Sequence, residues 1–292
     1  WNHALPGITR AVIVIHGYLR NADAYYAVAR QAVALAGPAG AGSILIAPQF
    51  LVDRDIAAHR LPPDVLRWSL IGWERGDNAQ GPAPISSFAA LDAIMGRLGD
   101  RRRFPDLHSV VIAGHSGGAQ VVQRYAILGR GSGLLPAGVA VRFVVANPSS
   151  YAWFNTQRPN GKGGFAPFDA ASCPRFNQWK YGMTDLPPYG VGADADALER
   201  AYLARDVIYL LGTADTNPRQ PALDRSCMAE AQGPNRLARG LAYVRYLRGH
   251  GGSAFHQHVL LVPGVGHNAR RMLTSACGLA ALFDRPGCAS GR

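Results

Sequence analysis

Apolar positions along the 292-residue chain alternate between two textures. Short β-branched runs fall at Ala11 to Ile15, Ser43 to Ala47, Val110 to Ala113, Val139 to Ala146, Val207 to Leu211 and Val259 to Val262. Several are apolar at every position, as strands covered on both faces should be. Between them lie amphipathic segments of helical length. Asp23 to Leu35 follows Asn21, Ser86 to Leu98 has Ser86 or Ser87 to cap it, and Gly117 to Leu128 follows directly on a strand. Asn235 to Leu247 follows Pro234, which sits where a first-turn proline belongs. This alternation predicts an α/β fold: a mostly parallel sheet with helices on both faces.

Two stretches break the pattern. Pro48 to Pro84 carries Phe50, Trp68 and Trp73, and Pro148 to Arg205 carries Tyr151, Trp153, Phe154, Phe165, Phe168, Phe176, Trp179, Tyr181 and Tyr189. Loops this long are functional or disordered, and their aromatic content disfavours disorder. Both are expected to pack over one edge of the sheet, the second over the C-terminal edge of the strands. The expected organisation is one domain over residues 1–292, with 148–205 as a cap or loop insertion.

Composition narrows this picture. Gly and Pro, 34 and 20 residues, exceed the usual share of about 12% and exclude a helical bundle or coiled coil. The net charge of +11 raises the question of a nucleic-acid or membrane-surface partner. The basic residues are nearly all arginines spread along the chain, Lys162 and Lys180 being the lysines. The one dense run, Arg101, Arg102 and Arg103, lies between a helix and a strand pattern and reads as a solvated turn. With no recognition-helix, aromatic nucleic-acid or zinc-finger motif, no nucleic-acid partner is expected. No apolar run approaches the roughly 18 residues that would span a bilayer. The sequence starts at Trp1 without Met or a basic–apolar leader, as a mature or trimmed form would. Cys173, Cys227, Cys277 and Cys288 lack C-x-x-C spacing and favour disulfides in an oxidising compartment over metal.

The sharpest chemical signal is Gly114-His-Ser-Gly-Gly118, a G-x-S-x-G pentapeptide with a strand before it and a helix after it. That is the setting of a nucleophile elbow, whose tight turn leaves room only for glycine two residues either side of the serine. Ser116 is thereby presented at a helix N-terminus, where backbone donors favour negative charge. A serine nucleophile needs a base and a group to orient it. The strand Val207 to Leu211 runs into Asp215, and the last strand runs into His267. Parallel sheets gather their sites at the strands' C-terminal ends, so Ser116, Asp215 and His267 can converge there. His250, His256 and His258, with the last two on one strand face, form a weaker candidate metal set. Asp169, Asp185, Asp194 and Asp196 are possible alternative acids or calcium ligands, but none follows a strand.

With His16-Gly17-Tyr18 after the first strand, the chain resembles the α/β-hydrolase superfamily from His16 to His267, including its order Ser, Asp, His. The resemblance implies an oxyanion hole built by the backbone N–H groups of Tyr18 and Gly117. A serine rather than an aspartate at the elbow disfavours dehalogenase and epoxide-hydrolase chemistry.

The expected protein is a secreted or periplasmic serine hydrolase of small-molecule or polymeric carboxylic esters, needing no cofactor or metal. Its oligomeric state stays open. A peptidase or amidase using the same three residues is one alternative. A noncatalytic carbohydrate- or polymer-binding protein is another, although binding alone needs no Ser–His–Asp set. Trp153, Phe154 and Trp179 are candidate substrate-binding residues, and a satellite core beneath the loop explains them equally well. Four cysteines allow three pairings. Reach favours Cys277 with Cys288, across a segment that Arg285-Pro-Gly287 can reverse, and hence Cys173 with Cys227.

Overall fold

The structure, a computed structural model, describes residues 3–288; Trp1, where the expected mature start falls, lies outside them. Along the chain run β1 (Arg10–Ile15), α1 (Ala22–Ala36), β2 (Ser43–Ile46), β3 (Leu51–Val52), α2 (Asp53–His59), β4 (Arg67–Trp68), α3 (Ser87–Leu98), β5 (Ser109–His115), α4 (Gly117–Leu128) and β6 (Ala140–Ala146). There follow β7 (Gln157–Pro159), β8 (Phe165–Pro167), α5 (Ala195–Leu203), β9 (Asp206–Gly212), α6 (Cys227–Glu230), α7 (Arg236–Gly251), β10 (His258–Val262), α8 (Ala269–Leu273) and α9 (Ala276–Phe283).

The main sheet has the order β10-β9-β6-β5-β1-β2, and every pairing in it is parallel. Each predicted strand is present, one to three residues longer or shorter than its apolar run. Side chains alternate across a strand. Ala11, Ile13 and Ile15 of β1 accordingly join one core cluster with Leu91, Val122 and Tyr243. Val12 and Val14 join the other with Val28, Met272 and Leu279. Helices therefore cover both faces, which is why the buried middles of the strands are mostly apolar.

Caps explain the helix starts. Ser86 Oγ accepts from the Phe88 N–H at 3.1 Å, and Asn235 Oδ1 accepts from the Ala238 N–H at 2.9 Å. Pro234 therefore precedes the cap rather than occupying the first turn, correcting the sequence reading. Similarly, β10 begins at His258, so His256 lies outside the strand and shares no face with it.

Both excursions are ordered by buried rings. In the first, Phe50, Trp68 and Trp73 are buried, and Trp73 packs on His16 with ring centroids 4.7 Å apart. In the second, β7 and β8 form an antiparallel hairpin, and Trp153 sits among Phe165, Tyr243 and Tyr246 at 5.9, 5.5 and 4.5 Å. Disulfides join Cys173 to Cys227 and Cys277 to Cys288, the expected pairing. The first ties the second excursion to α6. Among the described residues, no helix is long and apolar enough to cross a membrane.

Candidate active site

Ser116 sits between β5 and α4 with φ 60° and ψ −120°, a left-handed backbone held by its neighbours. Its N–H donates to the Ala146 carbonyl at 3.0 Å, pinning the turn to β6. A Cβ on Gly114 would run into the Gly118 backbone, and one on Gly118 would strike the Ile15 carbonyl oxygen. The two glycines let the turn close against β1, as the pentapeptide predicts.

Asp215 follows β9, and His267 follows β10. Their loops are laced together: the Thr213 N–H donates to Val262 O and the Ala214 N–H to Val265 O, both at 3.0 Å. Asn147, fully buried at the end of β6, adds a clamp that the sequence did not reveal. Its Oδ1 accepts from the Gly212 N–H at 2.9 Å, and its Nδ2 donates to Gly266 O at 3.4 Å. An asparagine just past a central strand was the available signal.

These loops bring the three predicted side chains into one chain of hydrogen bonds. His267 Nδ1 lies 2.9 Å from Asp215 Oδ2, and His267 Nε2 lies 2.9 Å from Ser116 Oγ. A carboxylate only accepts, so Nδ1 carries the proton, and Nε2 of the neutral ring accepts from the serine hydroxyl. Asp215 is 3% exposed, and the buried Arg236 guanidinium supplies a counter-charge 3.5 Å from it. Burial pulls the His267 pKa below its ordinary 6.5, against the raising effect of the hydrogen bond to Asp215. Next to it His115, wholly buried with its ring centroid 4.5 Å away, is held well below its ordinary value by the same desolvation.

The β1–α1 turn supplies the fourth element. His16 Nε2 accepts from the Phe50 N–H at 2.9 Å, leaving Nδ1–H to donate to Gly17 O at 2.9 Å. Burial lowers the His16 pKa to about 4, so the ring stays neutral. The turn so fixed brings the Tyr18 amide nitrogen within 3.1 Å of where a Gly117 Cβ would stand. Tyr18 and Gly117 thus face each other beside Ser116.

Two clefts of about 400 Å³ each meet at Ser116. One holds His267 and His115 together with Leu19, Tyr25 and Asn268. The other is lined by Gly117, Glu74, Gln120, Lys180, Tyr181 and Asp224, among others. Trp153 and Phe154 line neither: both are buried in the core, where neighbouring rings enclose them. Trp179 is also buried, its indole N–H donating to Arg75 O at 2.6 Å, and borders only a small adjoining hollow. The second excursion reaches the cleft through Lys180 and Tyr181 instead. The sequence signal for Lys180 was its rarity in an arginine-rich chain.

The weaker candidates have local roles. Asp194 caps α5, and Asp169 accepts from the Ala171 N–H at 2.9 Å. His250 contacts Glu199 at 3.1 Å, while His256 and His258 are exposed. Among the described residues, no group of three or more His, Cys, Asp and Glu is placed to hold a metal.

No protein-family model and no curated protein sequence matches the chain. Among solved structures it is similar to poly(aspartic acid) hydrolase-1 from Sphingomonas sp. KT-1, at 26% identity and a TM-score of 0.62, over 92% of this chain and 86% of that one. It is also similar to LpqC, a poly(3-hydroxybutyrate) depolymerase from Bordetella parapertussis, at 21% identity and a TM-score of 0.64, over 98% and 84% of the two chains.

Proposed function

The chain being a hydrolase of the α/β-hydrolase superfamily, we propose that it is a secreted or periplasmic serine hydrolase cleaving carboxylic esters. The observation that carries this reading is the continuous hydrogen-bond chain from Ser116 through His267 to Asp215. Ser116 Oγ attacks the ester carbonyl as its proton passes to His267 Nε2, and Asp215 holds the ring and stabilises the imidazolium. The Tyr18 and Gly117 amides donate to the developing oxyanion, each such donor being worth about 3 to 4 kcal/mol. His267 then returns the proton to the leaving alkoxide. Water, activated by the same ring, releases the acyl group. Because His267 must reach the leaving oxygen, the alcohol belongs in the cleft that contains His267, and the acyl group belongs in the cleft lined by Glu74 and Lys180. The two disulfides favour an oxidising compartment.

Amide cleavage is a second reading with its own support. The 26% identical hydrolase acts, by its name, on poly(aspartic acid), an amide-linked polyanion, and a net charge of +11 suits a polyanionic substrate. One experiment tests both. Wild-type enzyme and Ser116→Ala are treated with a fluorophosphonate, mapped by mass spectrometry, and assayed on short esters and on poly(aspartic acid). Labelling at Ser116 with ester turnover is expected. Labelling with turnover of the polyamide alone selects the second reading, and absence of labelling with no turnover overturns both.

A further inference from the structure

The cleft without His267 has an unusual floor for an acyl pocket. Glu74 is 2% exposed, and its two carboxylate oxygens have different surroundings. Oε2 accepts from Gln120 Nε2 at 3.1 Å and lies 3.6 Å from Lys180 Nζ. Oε1 has no protein donor among the described residues and lies over Gly117, where it would meet a Cβ at 2.6 Å. The other charged and amide side chains of the floor each find at least one partner within it. Lys180 Nζ donates to Gln120 Oε1 at 3.3 Å and pairs with Asp224 Oδ2 at 3.5 Å. Asp224 Oδ2 accepts from the Tyr181 hydroxyl at 2.7 Å, and Gln120 Oε1 also accepts from Arg124 Nη2 at 3.2 Å.

The carboxylate oxygen of this floor that lacks a donor is therefore Glu74 Oε1, beside Gly117. Resting on the ester-hydrolase reading above, we infer that the acyl pocket selects acyl groups bearing a neutral O–H or N–H donor one or two carbons from the scissile carbonyl, recognised by Glu74 Oε1. A plain hydrocarbon would strip water from that carboxylate oxygen without replacing its hydrogen bond, which is costly. An anionic acyl group would meet Glu74 and Asp224. A cationic one would face Lys180 and the buried Arg124, which already balance those two carboxylates.

The test compares kcat/KM of the wild-type enzyme on isosteric methyl esters: glycolate against propionate, and β-hydroxypropionate against butyrate. The corresponding methoxy esters withdraw electrons equally but donate nothing. Monomethyl succinate and methyl β-alaninate supply the anionic and cationic arms. A hydrogen bond to a charged acceptor implies roughly a ten- to hundredfold preference for the hydroxy esters over both the alkyl and methoxy partners. That ratio should shrink in Glu74→Gln. The wild-type series decides even if the variant fails to fold. Alkyl, methoxy or charged esters cleaved as well as the hydroxy esters, with Ser116 still labelled by a fluorophosphonate, would overturn the inference alone. No labelling at Ser116 would overturn the hydrolase reading and the inference with it.

Discussion

At His267, burial and hydrogen bonding pull in opposite directions, and the net shift of its pKa is downward from 6.5. The base must be neutral to accept the serine proton, so kcat/KM should rise with pH through an apparent pKa below about 6.5 and stay level near neutrality. A pH–rate profile on a non-ionising ester measures this. Ser116→Ala should keep the fold and lose about a millionfold in kcat, the scale set by serine hydrolases of known mechanism. Asp215→Asn should lose about ten-thousandfold, because an amide no longer holds the reactive tautomer. Steady-state kinetics of both variants, with circular dichroism as the control for folding, check these values. The three residues were readable beforehand because each occupies a stereotyped place: a glycine-flanked turn or the end of a strand. Asn147 and Arg236, which hold and balance them, act through partners on other segments that no local motif announces.

At the scale of elements, the second excursion is the instructive case. Its aromatic content suggested either a pocket wall or a satellite core, and Trp153 belongs to the core, with the Arg158 guanidinium 5.0 Å from its ring centroid. Trp153→Ala should therefore cost about 3 to 5 kcal/mol of stability while leaving the order of preference among ester substrates unchanged. Thermal melts and an ester panel measure the two effects separately. The Cys173–Cys227 disulfide closes a span of 54 residues, which the chain-entropy model values at about 4 kcal/mol. It also fastens the excursion near Asp224, which lines the cleft with Glu74 and Lys180. Replacing both cysteines by alanine should lower the melting temperature and raise KM more than it lowers kcat, as judged by calorimetry and initial rates.

For the whole molecule, the buried histidines set an acid limit. His16, His115 and His267 all have folded pKa values below their ordinary 6.5, to about 4 for His16. The unfolded chain therefore takes up these protons first as the pH falls. Their contribution to stability is complete above about pH 6.5 and is lost progressively toward the folded values. Urea midpoints should thus decline steadily between about pH 6.5 and 4, and a flat profile would contradict the burial of these rings as neutral groups. The alternation of apolar runs determined the sheet and its helices by itself, since a doubly covered strand and an amphipathic helix each carry their own period. The residue order and the glycine spacing likewise determined where Ser116, Asp215 and His267 would meet. Tertiary structure alone decided what the cleft lined by Glu74 and Lys180 is made of. The sequence marks Lys180 only by its rarity and leaves Trp153 open between pocket wall and core, yet Lys180 is buried because Glu74 and Asp224, from two other segments, supply its counter-charges. Trp153 is withdrawn because rings distant in the chain close around it. Burial of this kind depends on partners brought together only by the completed fold, and no local pattern records them.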